Sequence, residues 1–138
     1  MKKKAKKPRN KQLQTKAENL WKAVCLARDK GCVGRRFRSC NSDILQVHHV
    51  IGRGNRRSFL EIINGVTLCK SCHFFLHHND IFRMTIEDYA REQNGFERLK
   101  DEVRQGGAFL EWSRIGWLEH KIEILEEILK GLEEGIYE

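Results

Sequence analysis

LQVHHVIG, residues 45–52, places two histidines side by side in a short apolar run. The run alternates weakly and reads as a strand over 44–50. Neighbours in a strand point to opposite faces, so His48 and His49 serve different surroundings. Further along, the chain supplies Asn64, His73 and His77, giving the spacing H-H-x14-N-x8-H-x3-H. SCHFFLHHN, from Ser71 onward, suits the start of a helix. At i and i+4 on that helix, His73 and His77 share one face, as two ligands of one ion must. His48 from the strand would complete a three-histidine site. Such a site keeps an open coordination position, the mark of a catalytic rather than a structural metal. His49 would then face away from the metal, free to accept a proton. His78 lies about 100° further round the helix than His77 and ranks below it as a ligand.

The chain has five cysteines, Cys25, Cys32, Cys40, Cys69 and Cys72. An odd count, no secretory signal and the Cys69-x-x-Cys72 pair argue for a reduced compartment. Cys69 and Cys72 form a knuckle able to share an ion with a second pair, most simply Cys32 and Cys40. Their gap of seven residues is wider than usual. Cys25 falls on the apolar face of an amphipathic helix and reads as core.

Around this centre the chain is expected to be mostly helical. Residues 12–29 carry Leu13, Ala17, Leu20, Trp21, Val24 and Cys25 at helical spacing, and Gly31 is placed to end that helix. A turn-rich loop follows over 32–43. GRGNRRS (52–58) is a loop, and a tight turn is expected at Asn64-Gly65 before a short strand. The central unit is therefore strand, loop, strand, helix. Beyond it, Thr85-x-x-Asp88 resembles a capping box for a helix stopping at Asn94-Gly95. A second helix is expected over 96–105 and a last one over about 108–134. The last carries Ile115, Leu118, Ile122, Leu125, Leu129 and Leu132 in a heptad seam, for packing on the rest of the protein or for a homodimer.

The formal charge of +7 is unevenly spread. Residues 1–60 hold 17 Lys/Arg against 3 Asp/Glu, and residues 61–138 hold 9 against 16. A basic front half suits a polyanion, most often nucleic acid. Residues 1–11, with seven basic side chains, are expected to be a disordered tail. Arg53, Arg56 and Arg57 lie on the loop between the two histidine-bearing elements and suit phosphate oxygens. Arg35, Arg36 and Arg38 extend the basic surface. No apolar stretch nears the about 18 residues needed to span a membrane.

The string VHHVIGRGNRRSFLEIINGVTLCKSCHFFLH, residues 47–77, resembles the HNH endonucleases, whose core is the ββα-metal (His-Me) finger. The histidine and asparagine spacing is similar to the colicin nuclease branch, and the cysteines to the phage and bacterial branch. The resemblance covers about residues 24–80. It implies an α+β fold: a small ββα-metal finger with a four-cysteine zinc knuckle, flanked by an N-terminal helix and C-terminal helices. The chain then divides into a tail (1–11), a nuclease core with its N-terminal helix (12–80) and a helical extension (81–138).

The same resemblance implies residue roles. His49 is the general base, and Asn64 holds the loop and orients the His49 imidazole through its amide. His48, His73 and His77 bind a catalytic divalent ion, and Cys32, Cys40, Cys69 and Cys72 bind structural Zn²⁺. Many HNH members carry aspartate where His48 stands. An all-histidine set admits Mn²⁺, Ni²⁺, Co²⁺ or Zn²⁺ as well as Mg²⁺. The implied activity is hydrolysis of duplex DNA, by nicking or cutting, to 5′-phosphate and 3′-hydroxyl ends. The implied setting is the cytoplasm of a bacterial or phage-infected cell. The alternative is a zinc-stabilised nucleic-acid-binding module without catalysis. It would need neither His49 nor an open metal site.

Overall fold

A computed structural model describes residues 9–52, 58–94 and 114–135. Arg53, Arg56 and Arg57, the helix expected over 96–105 and the start of the last helix lie outside the described residues. The described elements run α1 (Arg9–Asp29), a 3₁₀ turn (Val33–Arg36), β1 (Leu45–His49), a 3₁₀ turn (Ile62–Asn64), β2 (Gly65–Cys69), α2 (Lys70–His78), α3 (Asp80–Asn94) and α4 (Arg114–Glu133). The fold is mixed α and β, with a small two-stranded sheet and a cysteine cluster.

β1 and β2 pair antiparallel, from Leu45 opposite Cys69 to His49 opposite Gly65. The ladder is extended at both ends, by Lys70 N–H donating to the Ile44 carbonyl (2.8 Å) and Val50 N–H to the Asn64 carbonyl (2.9 Å). So small a sheet has little core of its own, and helices cover both faces. On one side α1 and α4 enclose Trp21, Val24, Phe59, Leu60, Leu118 and Leu125. On the other side Cys32, Val66, Leu68, Leu76, Phe82 and Ile86 form a second cluster with α2 and α3. β2 is buried along its whole length.

α1 begins at Arg9, so the last residues of the expected tail are helical. Arg9 pairs with Glu119 of α4 at 2.6 Å, and Lys16 approaches Glu126 at 3.4 Å. Part of the basic front half is thus matched by the acidic C-terminal helix. At the other end of α1 the left-handed residue is Lys30 (φ 55°), whose N–H donates to the Leu26 carbonyl. Gly31 follows with φ 137°. This pair turns the chain into the first cysteine loop.

Further expectations change or narrow. The turn expected at Asn64-Gly65 is a 3₁₀ turn over Ile62–Asn64, and Gly65 is extended with φ −107°. α3 starts at Asp80, not near Thr85. Asn79 caps it by accepting from Phe82 N–H at 2.8 Å, and Thr85 sits inside the helix with its hydroxyl donating to the Ile81 carbonyl. The first N–H groups of a helix need partners from outside it, and Asn79 occupies the capping place. The heptad seam lies against α1 within the chain, with Leu118, Ile122 and Leu125 buried and Leu129 and Leu132 packed beside them. Those side chains are therefore already covered without a second copy.

Candidate metal centre and its flanking histidine

β1 sends its side chains to two faces, as its alternation requires. Gln46 and His48 face α2 and α3, whereas Val47 and His49 face α1. α2 begins directly after β2, with Cys69 as its N-cap. That junction fixes where His73 and His77 emerge. One ligand atom from each of His48, His73 and His77 lies within 4.8 Å of the others. His73 Nε2 and His77 Nε2 are 3.2 Å apart. His73 Nδ1 is 2.7 Å from Gln46 Oε1. An amide oxygen only accepts, so Nδ1 carries the proton and Nε2 keeps its lone pair for an ion.

His48 is the most enclosed of the three. Its Nε2 is buried and makes no hydrogen bond. Burial, then His73, His77 and His49, then Arg83, push its pKa down to about 4. It is therefore neutral near pH 7, as a ligand must be. His73 is also lowered, by burial and by His77. A buried imidazole nitrogen without a hydrogen-bond partner, grouped with two further histidines, fits a divalent ion. Glu87 of α3 stands beside it, with Oε1 3.6 Å from His48 Nε2. His78 stays out of the cluster and packs on Phe74.

His49 occupies the other face of β1. Its ring stacks on Trp21, with centroids 4.1 Å apart and planes 13° from parallel. Phe59 lies parallel on it at 5.7 Å. His49 Nε2 is 3.0 Å from the Phe59 carbonyl. The carbonyl can only accept, so Nε2 carries the proton and Nδ1 the lone pair. Trp21 is itself fixed by its indole N–H, which donates to the Glu61 carbonyl at 2.8 Å.

Asn64 does not orient His49 through its amide. Its Oδ1 accepts from Ile51 N–H (2.6 Å), and its Nδ2 donates to the Ile51 and Ser58 carbonyls (3.0 and 3.1 Å). The amide is consumed by backbone groups of Ile51 and Ser58, because it is fully buried where those groups need partners. Asn64 thus ties Ile51 to Ser58, and the tautomer of His49 falls to Phe59. A groove of about 610 Å³ is lined by His48, His49, His73, His77, Gln46 and Lys22. Both faces of the histidine pair thus reach one opening.

The four cysteines Cys32, Cys40, Cys69 and Cys72 form a second cluster, with sulfurs within 4.8 Å of one another. Cys32 and Cys40 sulfurs are 4.0 Å apart, near the about 3.8 Å separating two thiolates on one tetrahedral zinc. No disulfide links them. The wide spacing between Cys32 and Cys40 is bridged by the 3₁₀ turn and loop that fold back on α2. Gly34 permits this, since a Cβ there would stand 2.7 Å from Cys72 Sγ. Burial opposes ionisation of Cys69, yet hydrogen bonds from the Cys72 N–H and the neighbouring thiols bring it down to about 7. Arg38 reaches Cys72 Sγ at 3.3 Å and stacks over Phe75. The set can hold a metal ion such as zinc. Cys25 lies apart in the α1 core, where burial pushes its thiol up to about 12.

Sequence spacing brings out the three histidines and the four cysteines that form these clusters, and His49 on the other face of β1. It misses Gln46, Phe59, Glu87 and the stacking role of Trp21. Gln46 alone had a usable signal, since it stands two residues before His48 on a strand and so shares its face. Among the described residues no helix is long and apolar enough to cross a membrane. No protein-family model matches the chain, and neither a curated protein nor a solved structure matches it significantly.

Proposed function

We propose that this chain is a metal-dependent endonuclease of the HNH, ββα-metal finger type, hydrolysing phosphodiester bonds of duplex DNA. The observation that supports it most is the division of labour across β1. His48 joins His73 and His77 in a cluster fit for one divalent ion. His49, on the opposite face, presents a proton-accepting nitrogen with its tautomer fixed. A non-catalytic binding module has no use for that arrangement.

Bound by His48, His73 and His77, a divalent cation would draw charge from the scissile phosphate and from the departing O3′. The chain's own residues do the rest. Phe59 holds the Nε2–H of His49, and His49 Nδ1 takes a proton from water. The water oxygen forms a bond to phosphorus, the P–O3′ bond breaks, and O3′ gains a proton from solvent. Products carry 5′-phosphate and 3′-hydroxyl ends. Asn64 ties together Ile51 and Ser58, which flank Arg53, Arg56 and Arg57 in the chain. These arginines, with Lys22 on the groove, are the candidate phosphate contacts. Structural Zn²⁺ in the four-cysteine cluster would anchor the start of α2.

A supercoiled plasmid, incubated with purified protein and Mg²⁺, Mn²⁺, Ni²⁺ or EDTA, tests this. The expected result is metal-dependent nicked or linear DNA with the wild type, and none with His49→Ala that still folds and binds DNA. A wild type that binds the plasmid but leaves it intact with every ion overturns catalysis in favour of the zinc-stabilised binding module.

A further inference from the structure

A second cleft lies along the other edge of the sheet. β1 pairs with one edge of β2. The opposite edge is closed by the end of α1, where Asp29 accepts from the Thr67 N–H (2.9 Å) and Arg28 donates to the Gly65 carbonyl. Arg28 and Asp29 also pair with each other through two hydrogen bonds, of 2.8 and 2.9 Å. Their charges cancel, and their polar atoms are spent on each other and on the backbone. Beside them opens a cleft of about 390 Å³, lined also by Lys30, Arg35, Arg36 and Tyr89. It shares no lining residue with the histidine groove.

Among the described residues that line this cleft, Asp29 is the one carboxylate, and Arg28 takes it. The exposed cations Lys30, Arg35 and Arg36 are left over. Lys30 is the left-handed residue that ends α1, and a Cβ on Gly31 beside it would meet nothing within 4 Å. Arg36 lays its guanidinium over the Tyr89 ring, 5.3 Å from its centroid. The ring covers one face of the guanidinium and leaves its N–H edge for an oxyanion. Arg35 donates to the Ser42 carbonyl and lies beside Cys40, so part of its charge answers the thiols. Lys30 and Arg36 therefore carry most of the site. Arg38 turns away to Ser71 and Cys72 and does not line the cleft.

We infer that this cleft is a second nucleic-acid site, which holds backbone phosphates on Lys30 and Arg36, with Arg35 beside them, and takes no part in chemistry at the histidines. Cations exposed at the rim of an open cleft suit a polyanion lying across it, whereas a free phosphate needs donors closed around it. Such contacts carry no sequence information. They add affinity and hold the nucleic acid at a place distinct from the groove. The inference does not rest on cleavage, since a non-catalytic binding module would use the same cations.

The test is fluorescence-anisotropy titration of a short labelled DNA duplex with the full chain, at several salt concentrations and without added divalent ion. Wild type is compared with Lys30→Gln/Arg36→Gln and with Lys16→Gln/Lys130→Gln. The second pair removes the same charge from α1 and α4, away from the cleft. Neither Lys30 nor Arg36 is needed to close the sheet edge, and an unchanged thermal midpoint certifies the fold. In the cleft variant, affinity should fall about tenfold or more, and the slope of log affinity on log salt should flatten by nearly two units. The α1–α4 variant should change much less. Equal losses in both variants, or no loss in either, overturn the inference. So does a cleft variant that binds duplex normally but loses calorimetric binding of inorganic phosphate, which would make the cleft a site for a small free anion. The readout is binding, so a wild type that cleaves no DNA overturns the nuclease reading and leaves this one to be decided by the titrations.

Discussion

Trp21 and His49 stack face to face with ring centroids 4.1 Å apart, although 28 positions separate them in the chain. The indole cannot slide, because its N–H is tied to the Glu61 carbonyl. α1 therefore sets the plane of the candidate base. Trp21→Phe retains an aromatic face but loses that tie. It is expected to lower plasmid cleavage, up to about a hundredfold if the ring shifts by roughly 1 Å. Divalent-ion affinity should be unchanged, since the ion's ligands face away. A parallel fall in metal affinity would count against this separation of faces.

Asn64 makes three hydrogen bonds to backbone groups of Ile51 and Ser58 from a fully buried position. Asn64→Ala leaves those groups unpaired and is expected to cost about 1–3 kcal/mol for the buried groups, measured by urea unfolding. Activity should fall with it, since Ile51 and Ser58 lose their common tie. His49→Ala, by contrast, should lose activity at little cost in divalent-ion affinity.

Gln46 accepts from His73 Nδ1 at 2.7 Å and so holds Nε2 toward His77. Gln46→Leu removes the acceptor. Divalent-ion affinity is expected to fall about 10- to 100-fold, as read by Co²⁺ titration. Gln46→Glu restores an acceptor and should recover most of it. Loss in both variants alike would point to simple packing.

The four-cysteine cluster is expected to behave differently from the histidine site on metal removal. A chelator strong enough to strip thiolate-bound zinc, or Cys69→Ser, should lower the thermal midpoint by about 10 °C or more, equivalent to roughly 3 kcal/mol in a domain of this size. Cys69 caps α2 and Cys32 lies in the second core cluster, so both helix and core depend on it. A weaker chelator that empties only the histidine site should stop cleavage with the fold retained.

Stability is expected to depend on pH through His48. Its folded pKa is depressed to about 4 from an ordinary value of 6.5, mainly by burial. Between those values the unfolded chain binds more protons than the folded one. The contribution is therefore present above pH 6.5 and lost as pH falls toward 4, with a ceiling of roughly 3 kcal/mol. Denaturant midpoints measured across that window with the histidine site metal-free should show this slope, and His48→Gln should flatten it.

Local periodicity made much of the site legible. Alternation along a strand separated His48 from His49, and the four-residue helical step joined His73 to His77. The C-x-x-C turn marked the cysteine knuckle. Boundary signals were less reliable. Thr85-x-x-Asp88 looks like a helix start, but Asn79 lies earlier, accepts from the Phe82 N–H and takes the cap. The Asn64 side chain looked available to His49, but backbone groups of Ile51 and Ser58 compete for the same amide.

The sequence by itself determined which residues could act together, because strand and helix periods are short-range geometry carried by the backbone. Only the tertiary structure decided what surrounds them. The Phe59 carbonyl on His49, the Trp21 platform beneath it, Glu87 beside His48 and α4 closing the heptad seam on α1 are all contacts between different elements. Whether such groups meet is decided by how side chains fill the space between packed helices and the sheet, which no periodicity encodes. Gly65 shows the reason on a small scale. A Cβ there would come within 2.8 Å of Trp21 and 2.5 Å of the Cys25 sulfur. The missing side chain is what lets α1 approach β2 closely enough to place Trp21 against His49.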